Sequence, residues 1–242
     1  MFILNSTNLK SLINSVYLNG TITECVIDIK EGKGKIQSID KMNCMFVSND
    51  VEITEDQELE IQLGLRDLSM LTKILSGIKE DVRYEISKDN KWLHLSIKGK
   101  GKIKLLLIEP DTLVTAVTEE GVSDKLMENT RLEVLITDKI KEDILYFLNL
   151  FKTKVVEFCV TKNRLYLKSH CEDINQFEIP IAKVKSKDIS VEVNGLYLAT
   201  ILSFIEKSNE PKFHIGEDTP ILISSEKDTE NYMWALSPIS ME

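Results

Sequence analysis

Hydrophobic residues alternate with polar ones along one part of the chain and recur three and four positions apart along the next. This change of period is found twice, in the same order. Residues 61–75 pass from an alternating segment through Gly64 into a helical stripe, and residues 191–205 do the same through Asn194 and Gly195. Alternation predicts a strand, and spacings of three and four predict a helix. The chain therefore repeats a strand-turn-helix unit after about 130 residues.

Three more pairs of segments match at nearly the same offset. They are residues 7–16 with 138–147, 26–38 with 155–167, and 104–107 with 233–236. Two copies are too few for a solenoid, so they predict two similar domains. Residues 109–130 lack a strong period and include Pro110, so they are interpreted as the connector between a domain of residues 1–108 and one of residues 131–242.

Each copy has the same predicted elements, two short helices and many antiparallel strands, which is an α+β fold. In the first copy a helix begins after residues 5–7 and a second carries Leu68, Leu71 and Leu75. In the second copy the helices are predicted at about residues 137–151 and 195–207. Strands fill the rest of both copies, and Gly32 and Gly99 mark hairpin turns.

The composition fits a globular protein of one or two cores, because 43% of the 242 residues are hydrophobic. No apolar run approaches the roughly 18–20 residues of a membrane span, and the apolar start at residues 2–4 is too short for a signal peptide. We therefore expect a cytoplasmic protein without a membrane partner. The four cysteines show no C-x-x-C pairing, so we expect reduced thiols.

Residues that could carry chemistry are few. His94, His170 and His214 lie at no spacing typical of metal ligands, and the phosphate-binding and nucleophile motifs are missing. Asp138, Glu142 and Asp143 lie near a helix start, where carboxylates favour the helix dipole. The sequence thus predicts a non-enzymatic protein without a metal or cofactor.

The net charge of −9 argues against a protein that grips nucleic acid by neutralising phosphates. Either DNA is not a partner, or DNA is held without much help from the overall charge.

Three short motifs give the doubled pattern a likeness to a known family. Residues Gln37 to Asp40, Pro220 to Ile223 and Trp234 to Ile239 resemble segments of the sliding clamps of DNA replication. The resemblance covers the whole chain and is to the two-domain clamps, such as proliferating cell nuclear antigen (PCNA) and the clamps of tailed bacteriophages. The Lys-, Ile- and Asn-rich composition is typical of an AT-rich genome, so we expect a bacteriophage or other viral clamp acting in the host cytoplasm.

The resemblance implies a homotrimer, a head-to-tail ring that encircles double-stranded DNA without reading its sequence. A closed ring needs no strong grip, which removes the conflict with the acidic charge. The subunits would join by pairing the edge strand at residues 102–108 of one chain with that at 176–184 of the next. The alternative is that both strands are paired within the chain.

The four predicted helices would line the hole, and their lysines would face DNA. These lysines are Lys10, Lys73, Lys139, Lys141, Lys152 and Lys207. The alternative for each is an ordinary solvated side chain. Because Glu142, Asp143 and Glu206 share these helices, the lining has little positive charge.

The resemblance also implies a docking pocket for a peptide of the DNA polymerase, and a clamp loader as a further partner. Matching the motifs position by position gives the pocket residues Ile39, Pro220, Leu236, Ser237 and Pro238. Val114 or Val117 of the connector would cover it. The alternative is that Ile39 and Leu236 belong to the core.

Three other functions stay open. A viral processivity factor of the same doubled fold could bind DNA directly without forming a ring, and a basic face or tail would mark it. A metal-dependent or hydrolytic enzyme would need a cluster of ligands. A structural protein without a DNA role would differ only in not being threaded by DNA.

Overall fold

The computed structural model describes residues 2–54, 57–78, 82–87, 89, 91–113, 122–169, 176–185, 189–205, 210–217, 219–227 and 230–239. The chain forms two compact units. The first comprises residues 1–41, 47–118 and 228–232, and the second comprises residues 42–46, 119–227 and 233–242.

The described residues form sixteen strands and five α-helices. The strands are β1 (Phe2–Leu4), β2 (Cys25–Lys30), β3 (Lys33–Ile39), β4 (Met45–Glu52), β5 (Ile61–Leu65), β6 (Val82–Ile86), β7 (Trp92–Ile97), β8 (Gly101–Leu106), β9 (Leu132–Leu135), β10 (Val155–Thr161), β11 (Arg164–Ser169), β12 (Glu178–Lys183), β13 (Ser190–Asn194), β14 (Lys212–Ile215), β15 (Ile221–Lys227) and β16 (Glu230–Leu236). The helices are α1 (Ser6–Tyr17), α2 (Leu68–Ser76), α3 (Val122–Glu128), α4 (Asp138–Phe151) and α5 (Gly195–Phe204).

The first unit contains two runs of hydrogen-bonded strands, β1-β6-β7-β8 and β5-β2-β3-β4. All of the recorded registers between these strands are antiparallel. Helices α1 and α2 pack against each other, and α1 also packs on β3. Alternate residues of β2, β3, β6 and β7 are buried, as expected for antiparallel strands with one solvated face, whereas β4 begins and β5 ends with three consecutive buried residues.

The second unit repeats this plan strand for strand. Its two runs are β9-β14-β15-β16 and β12-β11-β10-β13, and α4 packs against α5. Aromatic side chains fill much of its core, with Phe158 edge-on to Phe213 at 5.1 Å and Phe204 edge-on to Trp234 at 5.7 Å between ring centroids. The predicted α+β fold with two similar halves is confirmed.

One strand extends beyond the sequence prediction. The alternating pattern predicts a strand only at residues 45–47, but β4 continues to Glu52. Its polar residue Asn49 is buried, and its side-chain amide donates a 2.6 Å hydrogen bond to the Ser15 hydroxyl of α1. A buried amide with a partner costs little, so the strand can run through it.

No helix of the described residues is both long and apolar enough to cross a membrane. In the same part of the chain, no group of three or more His, Cys, Asp or Glu residues is arranged to hold a metal ion.

Candidate nucleic-acid interface

Each of the four long helices begins at a side chain that caps it. Asn5 accepts hydrogen bonds from two backbone N–H groups of α1, and Asn194 does the same for α5. Asp67 accepts from Met70 at the start of α2, and Thr137 accepts from Ile140 at the start of α4. Caps at equivalent places in the two units fix equivalent helix starts, since each satisfies otherwise orphan donors.

The helices bury an apolar stripe and turn a polar face away from it. Leu9, Leu12 and Ile13 of α1 are buried, whereas Thr7 is exposed and Lys10 is half-buried. In α4, Ile144 and Leu148 are buried and Lys139 is exposed. The polar faces are where the predicted DNA-facing lysines lie.

The structure places five of the six predicted lysines on these helices or at their ends. Lys73 is exposed in the last turn of α2, and Lys139 is exposed in the first turn of α4. Lys152 caps the C-terminus of α4 in a left-handed conformation, with φ 48°. Lys207 lies outside the described residues. Their contact with DNA stays a prediction.

Lys141 has a structural contact as well. It is half-buried, and its ammonium group donates a hydrogen bond to the Ile205 carbonyl, just beyond the C-terminus of α5. A cation favours a helix C-terminus because the last carbonyl groups carry partial negative charge. Lys141 therefore joins α4 to α5 within the second unit, and a substitution there would disturb packing as well as charge.

Helix α5 is the least basic of the four helices. It has no acidic or basic residue between Gly195 and Phe204, and its exposed positions include Leu196 and Ser203. Helix α4 carries Asp138, Glu142 and Asp143 besides its two lysines. As the sequence predicts, the helical faces offer few cations.

The predicted pocket residues fall into both units. Ile39 ends β3 in the first unit and is half-buried. In the second unit, Pro220 precedes β15 and Ser237 and Pro238 follow β16. Strands β15 and β16 are neighbours in one sheet and follow one another along the chain, so the start of β15 and the end of β16 lie at the same end of the strand pair. Val114 and Val117 lie outside the described residues.

Leu236 lies deeper than the other pocket residues. It is only 1% exposed, whereas Pro238 is exposed and Pro220 is half-buried. This position agrees with the core alternative for Leu236, and its assignment to the pocket stays a prediction.

One exposed apolar residue near the predicted pocket was not part of the sequence prediction. Met42 is 74% exposed in a turn of the second unit. The next two residues of that turn bind the segment after β16, since Asn43 O accepts from the Ser237 hydroxyl at 3.1 Å and Cys44 O accepts from Ser237 N at 3.0 Å. No period marks a turn residue, so the only sequence signal was an apolar residue among polar ones in Lys41-Met42-Asn43.

A buried histidine in the second unit resembles a catalytic group but is structural. His214 Nε2 shares a 2.7 Å hydrogen bond with the Ser224 hydroxyl, and its Nδ1 lies 3.8 Å from Glu133 Oε2. Burial lowers the pKa of His214, an effect that the Glu133 carboxylate partly offsets. The ring is inaccessible to a substrate because it is only 3% exposed.

In each unit, exposed apolar side chains lie near a sheet edge. In the first unit, an open groove of about 500 Å³ lies between α2 and β8, lined by Met70, Leu71, Leu105 and Leu106 among others. In the second unit, α4 packs on β12 and exposes Tyr146 and Leu150. Among the described strands, β8 and β12 each have a strand neighbour on one side only.

Comparison with solved structures identifies this architecture. PCNA from Entamoeba histolytica matches 99% of this chain with 98% of its own, at a TM-score of 0.74 and 14% identity. The A. fulgidus PCNA, solved with the C-terminal region of FEN-1, matches 100% of this chain with 98% of its own, at 0.76 and 16%. The fold is that of PCNA.

A third PCNA structure extends the comparison to an assembly. The PCNA2–PCNA3 complex of Sulfolobus tokodaii includes a chain that matches 98% of this chain with 97% of its own, at a TM-score of 0.71 and 13% identity. Both units of the present chain, and the segment between them, thus lie within the match to the PCNA fold. No protein-family model and no curated protein sequence matches the chain.

Proposed function

We propose that this protein is a non-enzymatic DNA sliding clamp, a ring of three chains that encircles duplex DNA, tethers a DNA polymerase and confers processivity. The observation that carries the proposal is the match of nearly the whole chain, with both of its similar units, to PCNA structures. In this proposal residues 1–108 and 131–242 are the two clamp domains and residues 109–130 connect them. Viral origin and location in the host cytoplasm stay predictions from composition.

The subunits would join through the two apolar edges. The backbone N–H groups of Leu107 and Ile108, just after β8, point in opposite directions. Leu107 N donates a hydrogen bond to Lys91 O, just before β7, whereas Ile108 N donates one to Gly64 O of β5. By the alternation of a strand, the N–H groups of Lys102, Lys104 and Leu106 point away from β7. These N–H groups are available to pair with β12 of the next chain. The α4 side chains of that next chain would enter the groove between α2 and β8 of the first.

A head-to-tail joint of this kind is heterologous, since the two surfaces belong to opposite ends of the chain. It closes a ring only if the rotation per subunit divides a full turn. Three chains of two units give six similar units, which supports a near-sixfold ring. The S. tokodaii PCNA2–PCNA3 complex supports assembly between chains of this fold.

Duplex DNA would pass through the ring along the helical faces. Lys10, Lys73, Lys139, Lys152 and Lys207 would meet its phosphates, and Lys141 would assist from its place against α5. Few cations suffice, because a closed ring is retained by topology and needs only a shallow, sequence-independent attraction. A sparse lining would also let the ring slide.

The polymerase, and the clamp loader as a second protein partner, would bind at the hairpin end of the second unit. Met42, Pro220 and Pro238 present apolar groups there, and Ser237 orients the segment. Ile39 and Leu236 complete the predicted pocket. The A. fulgidus PCNA, solved with the C-terminal region of FEN-1, supports peptide docking as a mode of recognition for this fold.

Threading is the property that separates a clamp from other DNA-binding proteins. The experiment uses linear duplex DNA with biotin at both ends, onto which the protein threads before streptavidin blocks the ends. We expect protein to stay bound through a high-salt wash and to leave when a restriction enzyme cuts the DNA. Release by salt alone would contradict the ring and support direct charge binding.

The mass in solution tests the ring independently. Light scattering after size exclusion should give about three times 27.6 kDa, falling towards one chain on dilution. A monomer at every concentration would favour the non-ring processivity factor.

A further inference from the structure

The strands β6, β7 and β8 have a second face, opposite the one that contributes to the core. Tyr84, Leu95 and Leu105 are buried on one side of this sheet. Their neighbours along each strand point to the opposite side, because side chains alternate across a strand. The residues of that opposite side, together with two lysines of the adjoining hairpin, form what we name the basic sheet face: Arg83, Glu85, Trp92, His94, Ser96, Lys98, Lys100, Lys102, Lys104 and Leu106.

The charge of this face is opposite to that of the whole chain. Residues 91–106 contain five lysines and no acidic residue, although the chain carries a net charge of −9. All five lysines are exposed, and four of them belong to the basic sheet face, namely Lys98, Lys100, Lys102 and Lys104. Among the residues that the structure describes, the acids near these strands include Glu85, which pairs with His94 across the strands, and Asp89, which accepts from the backbone N–H of Lys91. Concentrated positive charge on an acidic protein favours a polyanionic ligand.

The cations follow a regular spacing. Lys102 and Lys104 are two residues apart on β8, which places their Cα atoms roughly 6.7 Å apart along the strand. Lys98 and Lys100 continue the series around the hairpin, where Gly99 and Gly101 adopt φ 75° and 130°. A series of cations along one line suits a phosphate backbone better than it suits a single anion.

Aromatic rings lie among these cations. Trp92 and His94 are half-buried on the same face, and the register sets His94 opposite Lys104. The Lys104 ammonium lies 3.9 Å from the centroid of the Trp92 ring, a cation–π contact that holds the lysine over the sheet. Surfaces that bind single strands combine cations for phosphates with ring faces for unpaired bases.

We propose that the basic sheet face binds single-stranded nucleic acid. The lysines would contact the phosphates, and Trp92 and His94 would stack with bases. A duplex offers phosphates but keeps its bases paired, so it could not use the rings. This binding is an additional function, separate from the encirclement of duplex DNA, because α1, α2, α4 and α5 contribute none of its residues.

The basic sheet face and the subunit joint can operate together although both use β8. Edge pairing uses backbone N–H and C=O groups, which lie in the plane of the sheet. The Lys102 and Lys104 side chains stand roughly perpendicular to it. A ring could therefore hold a single strand on each subunit while its edges stay paired.

The two tryptophans of the chain allow a direct test. Trp234 is 0% exposed, so Trp92 is the tryptophan that a ligand on this face can reach. Titration of the full chain with a 20-nucleotide oligothymidylate should quench tryptophan emission, and added salt should reverse the quench. Trp92→Phe should abolish the quench and weaken binding about tenfold, as seen by anisotropy of a labelled oligonucleotide. Quenching that persists in Trp92→Phe would overturn the proposal.

Charge reversal provides the second test with a matched control. Lys98→Glu, Lys100→Glu and Lys102→Glu combined should weaken binding by about 100-fold or more and reduce the slope of log affinity against log salt by about two. The control reverses Lys35, Lys41 and Lys162, three exposed lysines outside this face, and so makes the same change in net charge. Equal weakening by both triple variants would overturn the proposal.

Competition experiments distinguish single-stranded nucleic acid from two other possible ligands of this face, duplex DNA and an acidic protein. Unlabelled duplex of the same length should compete poorly, and so should polyglutamate. Effective competition by duplex would assign the face to double-stranded DNA, and effective competition by polyglutamate would assign it to an acidic protein; either result overturns the proposal. Lys10→Glu with Lys73→Glu should leave the quench unchanged, which separates this face from the predicted lining of the ring.

Discussion

At the scale of single residues, the backbone of Ile108 lies so close to Gly64 that no side chain fits there. Its carbonyl accepts a 3.0 Å hydrogen bond from Ile108 N, which ties β5 to the segment after β8. A Cβ added to Gly64 would lie 2.1 Å from the Ile108 carbonyl oxygen. Because that atom belongs to the backbone, the segment itself would have to shift.

Gly64→Ala is therefore expected to lower the free energy of unfolding by about 1–3 kcal/mol, the usual cost of overpacking. Gly77→Ala is the control, since a Cβ there would lie 3.6 Å from its nearest neighbour and φ is −85°. Urea unfolding of both variants measures the difference. Equal stability of the two variants would contradict the close approach.

His214 gives the second residue-scale prediction, a dependence of stability on pH. Burial lowers its pKa, while Glu133 and Glu226 act to raise it and Lys212 to lower it. Below the ordinary pKa of about 6.5 the unfolded chain binds a proton that the folded chain does not. Stability that is present above that pH is therefore lost as the pH falls towards the folded pKa.

The measurement is the urea midpoint of wild type and of His214→Gln between pH 7.5 and 5.5. We expect the wild type to lose stability over this window and the variant to lose less. His94→Gln, which alters a half-buried histidine on β7, is the control. A parallel loss in wild type and His214→Gln would exclude the buried ring as the cause.

Some residue contacts could not be predicted from the pattern. Asn49 counts as polar, so the predicted strand ended before it, yet its partner Ser15 makes it a core residue. That partner lies 34 residues earlier in the chain. Met42 was missed for a related reason, since its neighbour Asn43 contacts Ser237, which lies 194 residues later in the chain.

At the scale of elements, the long helices were predictable because their signals are local. Each combines a capping side chain, such as Asn5 or Asn194, with apolar residues three and four apart. Edge strands carry no such local signal, because a strand is an edge only when no other strand pairs with one of its sides. The edges at β8 and β12 were expected only from the resemblance to clamps.

The joint between chains gives the element-scale prediction. Leu150 is 58% exposed on α4, which packs on β12, and Leu196 is 51% exposed on α5, which packs on β10 and β13. Leu150→Asp should weaken subunit association at least tenfold, because it puts a charge into the predicted joint. Leu196→Asp is the matched control and should leave association unchanged.

Sedimentation equilibrium over a range of concentrations measures both variants. Circular dichroism verifies that each variant is folded. If Leu196→Asp weakens association more than Leu150→Asp does, the joint between subunits does not lie at α4.

At the scale of the whole molecule, the distribution of charge matters more than its sum. The chain is acidic, yet lysines lie on helical faces and on the basic sheet face. A sequence-level total of −9 could not reveal this arrangement. The helical lysines should govern how readily DNA enters the ring, whereas retention should depend on closure.

The triple variant Lys10→Glu, Lys73→Glu, Lys139→Glu should thus reduce the fraction of protein threaded onto end-blocked duplex several-fold. The protein that has threaded should resist the salt wash as well as the wild type does. Reversal of Lys35, Lys41 and Lys162 is again the control for net charge. Loss of salt resistance in the helical variant alone would mean that charge, and not closure, holds the DNA.

The unlike edges of the chain have a further consequence. A chain damaged at its β12 end still offers an intact β8 end, so it can add to a growing assembly but cannot be extended. Such a chain terminates the assembly, so it would prevent normal chains from closing rings when the two are mixed. A second chain damaged only at its β8 end would be its complement, and the pair would stop at a dimer that can never close around DNA.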